Sequence, residues 1–83
     1  MENYNNFDKE ILCKFLGKYF ELSLITEEED FFKKGLVNSL FSMQLIMFVE
    51  KKFEIIVETD DINPDNFSSI NNILRFIEKK KTL

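Results

Sequence analysis

The stretch Gly35-Leu36-Val37-Asn38-Ser39-Leu40-Phe41-Ser42-Met43 marks the passage from an acidic, glycine-containing connection into a long apolar-periodic helix. That helix is expected from Ser39 to about Phe53, a run without Gly or Pro that spans roughly 22 Å at about 1.5 Å per residue. A wheel at about 100° per residue sorts its apolar positions into two sets. Ser42, Leu45, Ile46, Val49 and Phe53 form the expected core face, whereas Leu40, Met43 and Met47 form a second stripe that begins beside Ser39. A helix in a small bundle needs one buried stripe. The second is either covered by a neighbouring loop, with Phe31 and Phe32 as the candidates, or it is a partly exposed docking strip to which flexible methionines are suited. Ser39 has two compatible readings. Serine is a preferred helix N-cap, and a phosphodiester attached there would meet backbone N–H groups and the positive end of the helix dipole.

Upstream, the connection from Glu21 to Asn38 carries the polar run Glu27-Glu28-Glu29-Asp30, with Phe31, Phe32 and Leu36 as anchors to the core. A connection this long in a small domain is usually functional, and Gly35 permits a backbone conformation or close approach that a side chain would obstruct. Before it, Ile11, Leu12, Phe15, Leu16 and Tyr19 repeat at helical spacing, so a first helix is expected from about Phe7 to Phe20, capped by Asn5 or Asn6. Downstream, Phe53-Glu54-Ile55-Ile56-Val57 is β-branched but has no partner strand, and reads as the packed helix end followed by an extended connector. Asp60 to Phe67 reads as a short helical turn interrupted near Pro64, and Ser68 or Ser69 caps a last helix with Ile70, Ile73, Leu74 and Ile77 on one face. The expectation is an all-α bundle of three main helices plus one short helix with a long first loop. It forms one domain over 1–83 with short flexible ends at about 1–5 and 80–83.

Eighty-three residues support a single core, and ten phenylalanines supply much of it. The chain has no histidine, and Cys13 is its only cysteine. An internal disulfide framework, a His/Cys zinc site and a His-activated nucleophile are therefore excluded. Cys13 itself reads as a partly buried, inert thiol. A net charge of −4 argues against nucleic acid as a partner. Lys79-Lys80-Lys81 reads as the solvated, frayed end of the last helix. No apolar run approaches the length of a membrane span, and the first residues lack the pattern of a signal peptide, so a cytoplasmic location is expected.

The segment Phe32-Lys33-Lys34-Gly35-Leu36-Val37-Asn38-Ser39-Leu40 resembles the signature of acyl and peptidyl carrier proteins: an aromatic residue, a glycine, and Asp-Ser-Leu opening the second helix. The likeness continues through Leu45-Ile46-Met47-Phe48-Val49-Glu50-Lys51-Lys52-Phe53 to Ile62, Pro64, Phe67, Ser69 and Ile70, and so covers almost the whole chain. The resemblance implies a four-helix carrier fold in which Ser39 holds a covalent 4′-phosphopantetheine arm, derived from coenzyme A, whose thiol carries an acyl or aminoacyl intermediate as a thioester. The implied partners are a phosphopantetheinyl transferase, a loading enzyme, and downstream synthase or tailoring enzymes, with the chain a non-catalytic monomer among them. Asn38, Leu40, Met43, Met47 and Glu50 are the candidate partner contacts. Three departures from the pattern stand out. Asn38 replaces the acid before the serine, Phe41 and Gln44 occupy positions where fatty-acid carriers often show acids, and Glu50 is the only carboxylate of the second helix. These features look similar to discrete carriers of polyketide, mixed peptide–polyketide or related specialised pathways. A primary fatty-acid or D-alanyl carrier, and a helical adaptor in which Ser39 is only a cap, are the competing readings.

Overall fold

Helix α2 (Ser39–Phe53) begins and ends where its sequence predicts. The computed structural model describes residues 6–21, 23, 26–35 and 38–81. In chain order these form α1 (Asn6–Leu16), α2, a 3₁₀ turn at Thr59–Asp61, α3 (Pro64–Phe67) and α4 (Ile70–Lys81), with no strand among the described residues. The fold is the expected all-α bundle. The proposed cap Asn5 and the proposed anchor Leu36 lie outside the described residues, as does the side chain of Asn6.

Helix α1 is shorter than its apolar pattern suggested. It stops at Leu16 instead of continuing to Phe20, because the chain tightens after Gly17, a residue that costs about 1 kcal/mol in a helix interior. The N–H groups of Lys18 and Tyr19 reach back three residues to the carbonyls of Phe15 and Leu16, at 3.1 and 2.9 Å. This turn still packs Phe20 against the core, while Tyr19 stays exposed with its ring against Phe41.

The core joins Leu12 and Leu16 of α1 to Leu45, Val49 and Phe53 of α2, Phe67 of α3, and Ile70, Ile73, Leu74 and Ile77 of α4. The expected core face of α2 proves too narrow. Phe41, which is not among the expected core positions, is buried, and Phe48 packs against the core as well, while Ser42 and Ile46 are only half-buried. The reason is an aromatic seam with α1. Phe15 stacks on Phe48 with centroids 4.2 Å apart, and Tyr19 and Phe20 each meet Phe41 at 5.0 Å. Such ring pairs contribute about 0.5–1.5 kcal/mol beyond their burial. Gln44 is drawn into the same seam, its Oε1 accepting a hydrogen bond from the Tyr19 hydroxyl.

The long connection is tied down at defined points. Phe31 is fully buried, and its N–H donates to the Ser68 carbonyl at 2.6 Å, while Asn71 N–H donates to the Glu27 carbonyl at 2.9 Å. The acidic run is used in local turns: Glu29 accepts from Thr26 N–H, Asp30 accepts from the N–H groups of Phe32 and Lys33, and Lys9 and Lys34 pair with Glu27 and Glu29. Ser69 caps α4, its Oγ accepting from Asn72 N–H at 3.1 Å.

The lysine run differs from the frayed end expected of it. Lys80 and Lys81 belong to the last turn of α4 and close two clasps. Lys80 pairs with Asp61 at 2.6 Å and lies over the Phe76 ring, and Lys81 pairs with the buried Asp8 at 2.5 Å and lies over the Phe53 ring. The Lys80 hydrogen bond and the Glu58 N–H hold the Asp61 carboxyl below its ordinary range, and Asp61 in turn raises Lys80. Stability from the depressed Asp61 is present above the ordinary aspartate range and disappears as pH falls through its folded value. Stability from the raised Lys80 is lost only as pH climbs through its own folded value. Asp61→Asn should therefore lower the unfolding midpoint at about pH 7 and converge with the parent chain at about pH 2, below the ordinary carboxylate range. Urea titrations at the two pH values check this.

Candidate functional site at the start of the second helix

The site is built on the first turn of α2. Asn38 is extended (φ −122°, ψ 178°), and its Oδ1 accepts a hydrogen bond from Phe41 N–H at 2.8 Å. Its carbonyl accepts the first helical bond, from Ser42 N–H at 3.0 Å. The cap is thus Asn38, not Ser39, and Ser39 is the first helical residue. The Ser39 side chain lies outside the described set. Just upstream, Gly35 has φ +72° with nothing within 4 Å of an added Cβ. The left-handed backbone therefore requires glycine there, and close approach does not.

Two rows lead away from residue 39 along the helix surface, because residues three and four apart are neighbours. One runs through Met43 to Met47 and, with Leu40, makes the exposed strip: Leu40, Met43 and Met47 are 66, 62 and 63% exposed. Neither Phe31, which is in the core, nor Phe32, which is itself exposed, covers them. The other row runs through Ser42 to Ile46 and ends at a recess of about 240 Å³. Leu45 and Phe67 complete its apolar lining, with Phe32 from the long loop and Ile62 and Asn63 from the connection before α3. Periodicity could not reveal this recess, because its walls come from four separate parts of the chain.

Glu50 lies farther along α2 and has work within the fold. Glu54 closes the helix in the left-handed region (φ 55°, ψ 47°), a conformation costing a non-glycine residue roughly 1–2 kcal/mol. The Glu50 carbonyl accepts from the N–H groups of Glu54 and Ile55, and its Oε2 accepts from Val57 N–H at 2.9 Å. Lys51 and Lys52 are exposed beside it. Cys13 is half-buried and burial pushes its thiol up, opposed in part by Lys9, so it is not poised as a nucleophile.

An anionic group fits the first turn of α2. Its cap is neutral, the turn contains no acidic residue, and the positive end of the dipole is therefore uncompensated by any side chain of that turn. The chain contains no histidine to activate the Ser39 hydroxyl. Since Asn38 carries the capping bond, Asn38→Ala should cost about 1 kcal/mol, whereas Ser39→Ala should leave the unfolding free energy within about 0.5 kcal/mol of the parent. Chemical denaturation of the two variants measures the difference.

No protein-family model matches the chain. Among curated proteins it is similar to an "Acyl carrier protein AsbD" of Bacillus anthracis, 24% identical over 78 residues that cover 90% of this chain and 86% of that protein. It is also similar to D-alanyl carrier proteins of Leuconostoc citreum and Leuconostoc mesenteroides, each 29% identical over 51 residues, or 61% of this chain. That alignment spans 65% of the Leuconostoc proteins, slightly less than two thirds of their length. Among the described residues no helix is long and apolar enough to cross a membrane. Together with the helical bundle, these similarities to carrier proteins support an acyl/peptidyl carrier family for this chain.

Proposed function

We propose that the chain is a discrete carrier protein of polyketide, mixed peptide–polyketide or related specialised biosynthesis, modified at Ser39 with 4′-phosphopantetheine. The observation that carries this reading is the placement of Ser39 as the first residue of α2, behind the neutral Asn38 cap and at the head of the exposed Leu40/Met43/Met47 strip. When bound, the arm supplies a terminal thiol that holds an acyl or aminoacyl group. The chain supplies an anion-compatible helix end for the attachment, a rigid helix that sets where the arm starts, and a surface by which partner enzymes find it. Tethering raises the effective concentration of the cargo at each partner. The partners under this reading are a phosphopantetheinyl transferase, a loading enzyme and downstream synthase or tailoring enzymes, and the chain acts on none of their substrates itself.

A second reading has its own support. The Leuconostoc relatives are D-alanyl carriers, which makes an amino acid as natural a cargo as a polyketide unit. Loading the modified protein separately with D-alanine and with short acyl donors, each with its own loading enzyme, decides between them by the mass of the product.

Incubation with coenzyme A and a broad-specificity phosphopantetheinyl transferase should add one phosphopantetheinyl mass, and Ser39→Ala should abolish the addition while helicity persists. Transfer to Ser42, or none by several transferases, would favour an adaptor that binds partners through the same strip.

The strip itself is apolar, and the single carboxylate of α2 is engaged by Val57. Partner recognition should therefore weaken little with added salt. Met47→Glu should slow loading without lowering the unfolding midpoint, because it charges an exposed contact. Val49→Glu should unfold the domain, because Val49 is fully buried. Loading rates at low and high ionic strength, alongside thermal melts, test both statements.

A further inference from the structure

The aromatic seam between α1 and α2 is framed by lysines that the fold does not use. Its stacked pair, Phe15 and Phe48, is only half-buried, and Tyr19 is 45% exposed with its ring against Phe41. These pairings run antiparallel, so the end of α1 lies beside the start of α2. Lys14 of α1 and Lys18 of the turn that continues it stand one turn apart, next to the row of Ile11, Phe15 and Tyr19. On α2, Lys51 follows Met47 by one turn and Lys52 follows Phe48 by one turn. All four lysines are exposed. Lys9, Lys34, Lys80 and Lys81 each meet a carboxylate of the chain, whereas Lys14, Lys18, Lys51 and Lys52 close no ion pair among the described residues. Glu10 and Glu54, at the end of this face far from Ser39, are exposed and pair with none of them. The face therefore sets four lysines against two glutamates in a chain whose net charge is −4.

We infer that this face docks a carboxylate-rich protein segment, an acidic amphipathic helix whose apolar side chains meet Tyr19 and Phe48 while its carboxylates reach the four lysines. Charge complementarity chooses this occupant. Charges at the rim of a contact speed the encounter with an opposite surface and reject a like-charged one. A nucleic acid or an anionic bilayer spreads its negative charge over a wide area, which a chain of net charge −4 repels. An amphipathic helix confines its carboxylates to the flanks of an apolar stripe, the pattern that the seam and its lysines complement. The surface differs in chemistry from the apolar Leu40/Met43/Met47 strip, and it includes neither Ser39 nor any residue that would hold an arm.

The probe is a synthetic helical peptide with a leucine stripe flanked by glutamates, compared with the same peptide carrying lysines in their place. Backbone amide resonances of the full, unmodified chain are followed by NMR. The acidic peptide should bind about tenfold more tightly than the basic one and shift Lys14, Lys18, Tyr19, Phe48 and Lys52. Its affinity should fall about tenfold between about 0.01 M and about 1 M salt, as the Debye length shrinks from about 30 Å to about 3 Å. Lys14→Gln combined with Lys18→Gln should weaken the acidic peptide about fivefold and leave the thermal midpoint near that of the parent chain. Equal affinities of the two peptides, shifts confined to other surfaces, or undiminished binding by the double variant would each overturn the inference. So would tighter binding of phosphatidylserine vesicles or duplex DNA than of the acidic peptide. Failure of transfer to Ser39 would sink the carrier reading and leave this face standing, and equal peptide affinities would do the reverse.

Discussion

Burial of Phe31 holds the long connection to the helices and thereby sets where α2 begins. Its ring meets Phe20 at 5.2 Å, and its N–H is bonded to the Ser68 carbonyl at the junction of α3 and α4. A connection of this length is ordered only at a substantial entropic cost. One apolar anchor, worth about 1.5–3 kcal/mol, does not offset that alone. The Asn71–Glu27 backbone bond and the turns closed by Glu29 and Asp30 share the task. The acidic run, which the sequence marks only as polar, is in this respect structural. It fastens the loop that precedes Asn38.

Several elements were legible in the sequence because a local rule determined them. The bounds of α2 follow from an unbroken helical run, the break at Pro64 from the chemistry of proline, and the start of α4 from the pair Ser68 and Ser69, of which Ser69 makes the cap. Other features depend on distant partners and could not be read locally. Phe41 is buried and Phe48 partly so because Phe15 arrives from α1 and Tyr19 and Phe20 from the turn after it, an event that a wheel drawn for α2 alone cannot contain. Lys80 and Lys81 are clasped because Asp61 and Asp8 lie beside them in space. Within the site, the position of Ser39 was legible, but the assignment of the cap was not. Asparagine and serine are about equally good caps, and only the Asn38–Phe41 hydrogen bond separates them.

The geometry of α2 gives residue 39 two kinds of neighbour. The Met43 row faces outward and offers adaptable apolar surface, and the Ser42 row leads to the recess. Because the rows are separated by one step around the helix, a change in one need not disturb the other. Glu50 supports this arrangement from the far end. By engaging three backbone N–H groups, it stabilises a left-handed residue that no glycine provides, and it turns the chain back toward the connection that carries Ile62 and Asn63.

The Lys81–Asp8 clasp joins residues 73 positions apart. Helical bundles assemble largely through local contacts and are fast for that reason, yet this contact closes nearly the whole described chain into one loop, at an entropic cost that grows with the logarithm of loop length. During synthesis α1 and α2 can pair as soon as they emerge, through the aromatic seam. Asp8, however, stays without its lysine until residue 81 is available. The buried carboxylate thus makes completion of the domain wait for the final turn of α4, and a nascent chain stalled before that turn would hold a hydrated gap where the clasp belongs.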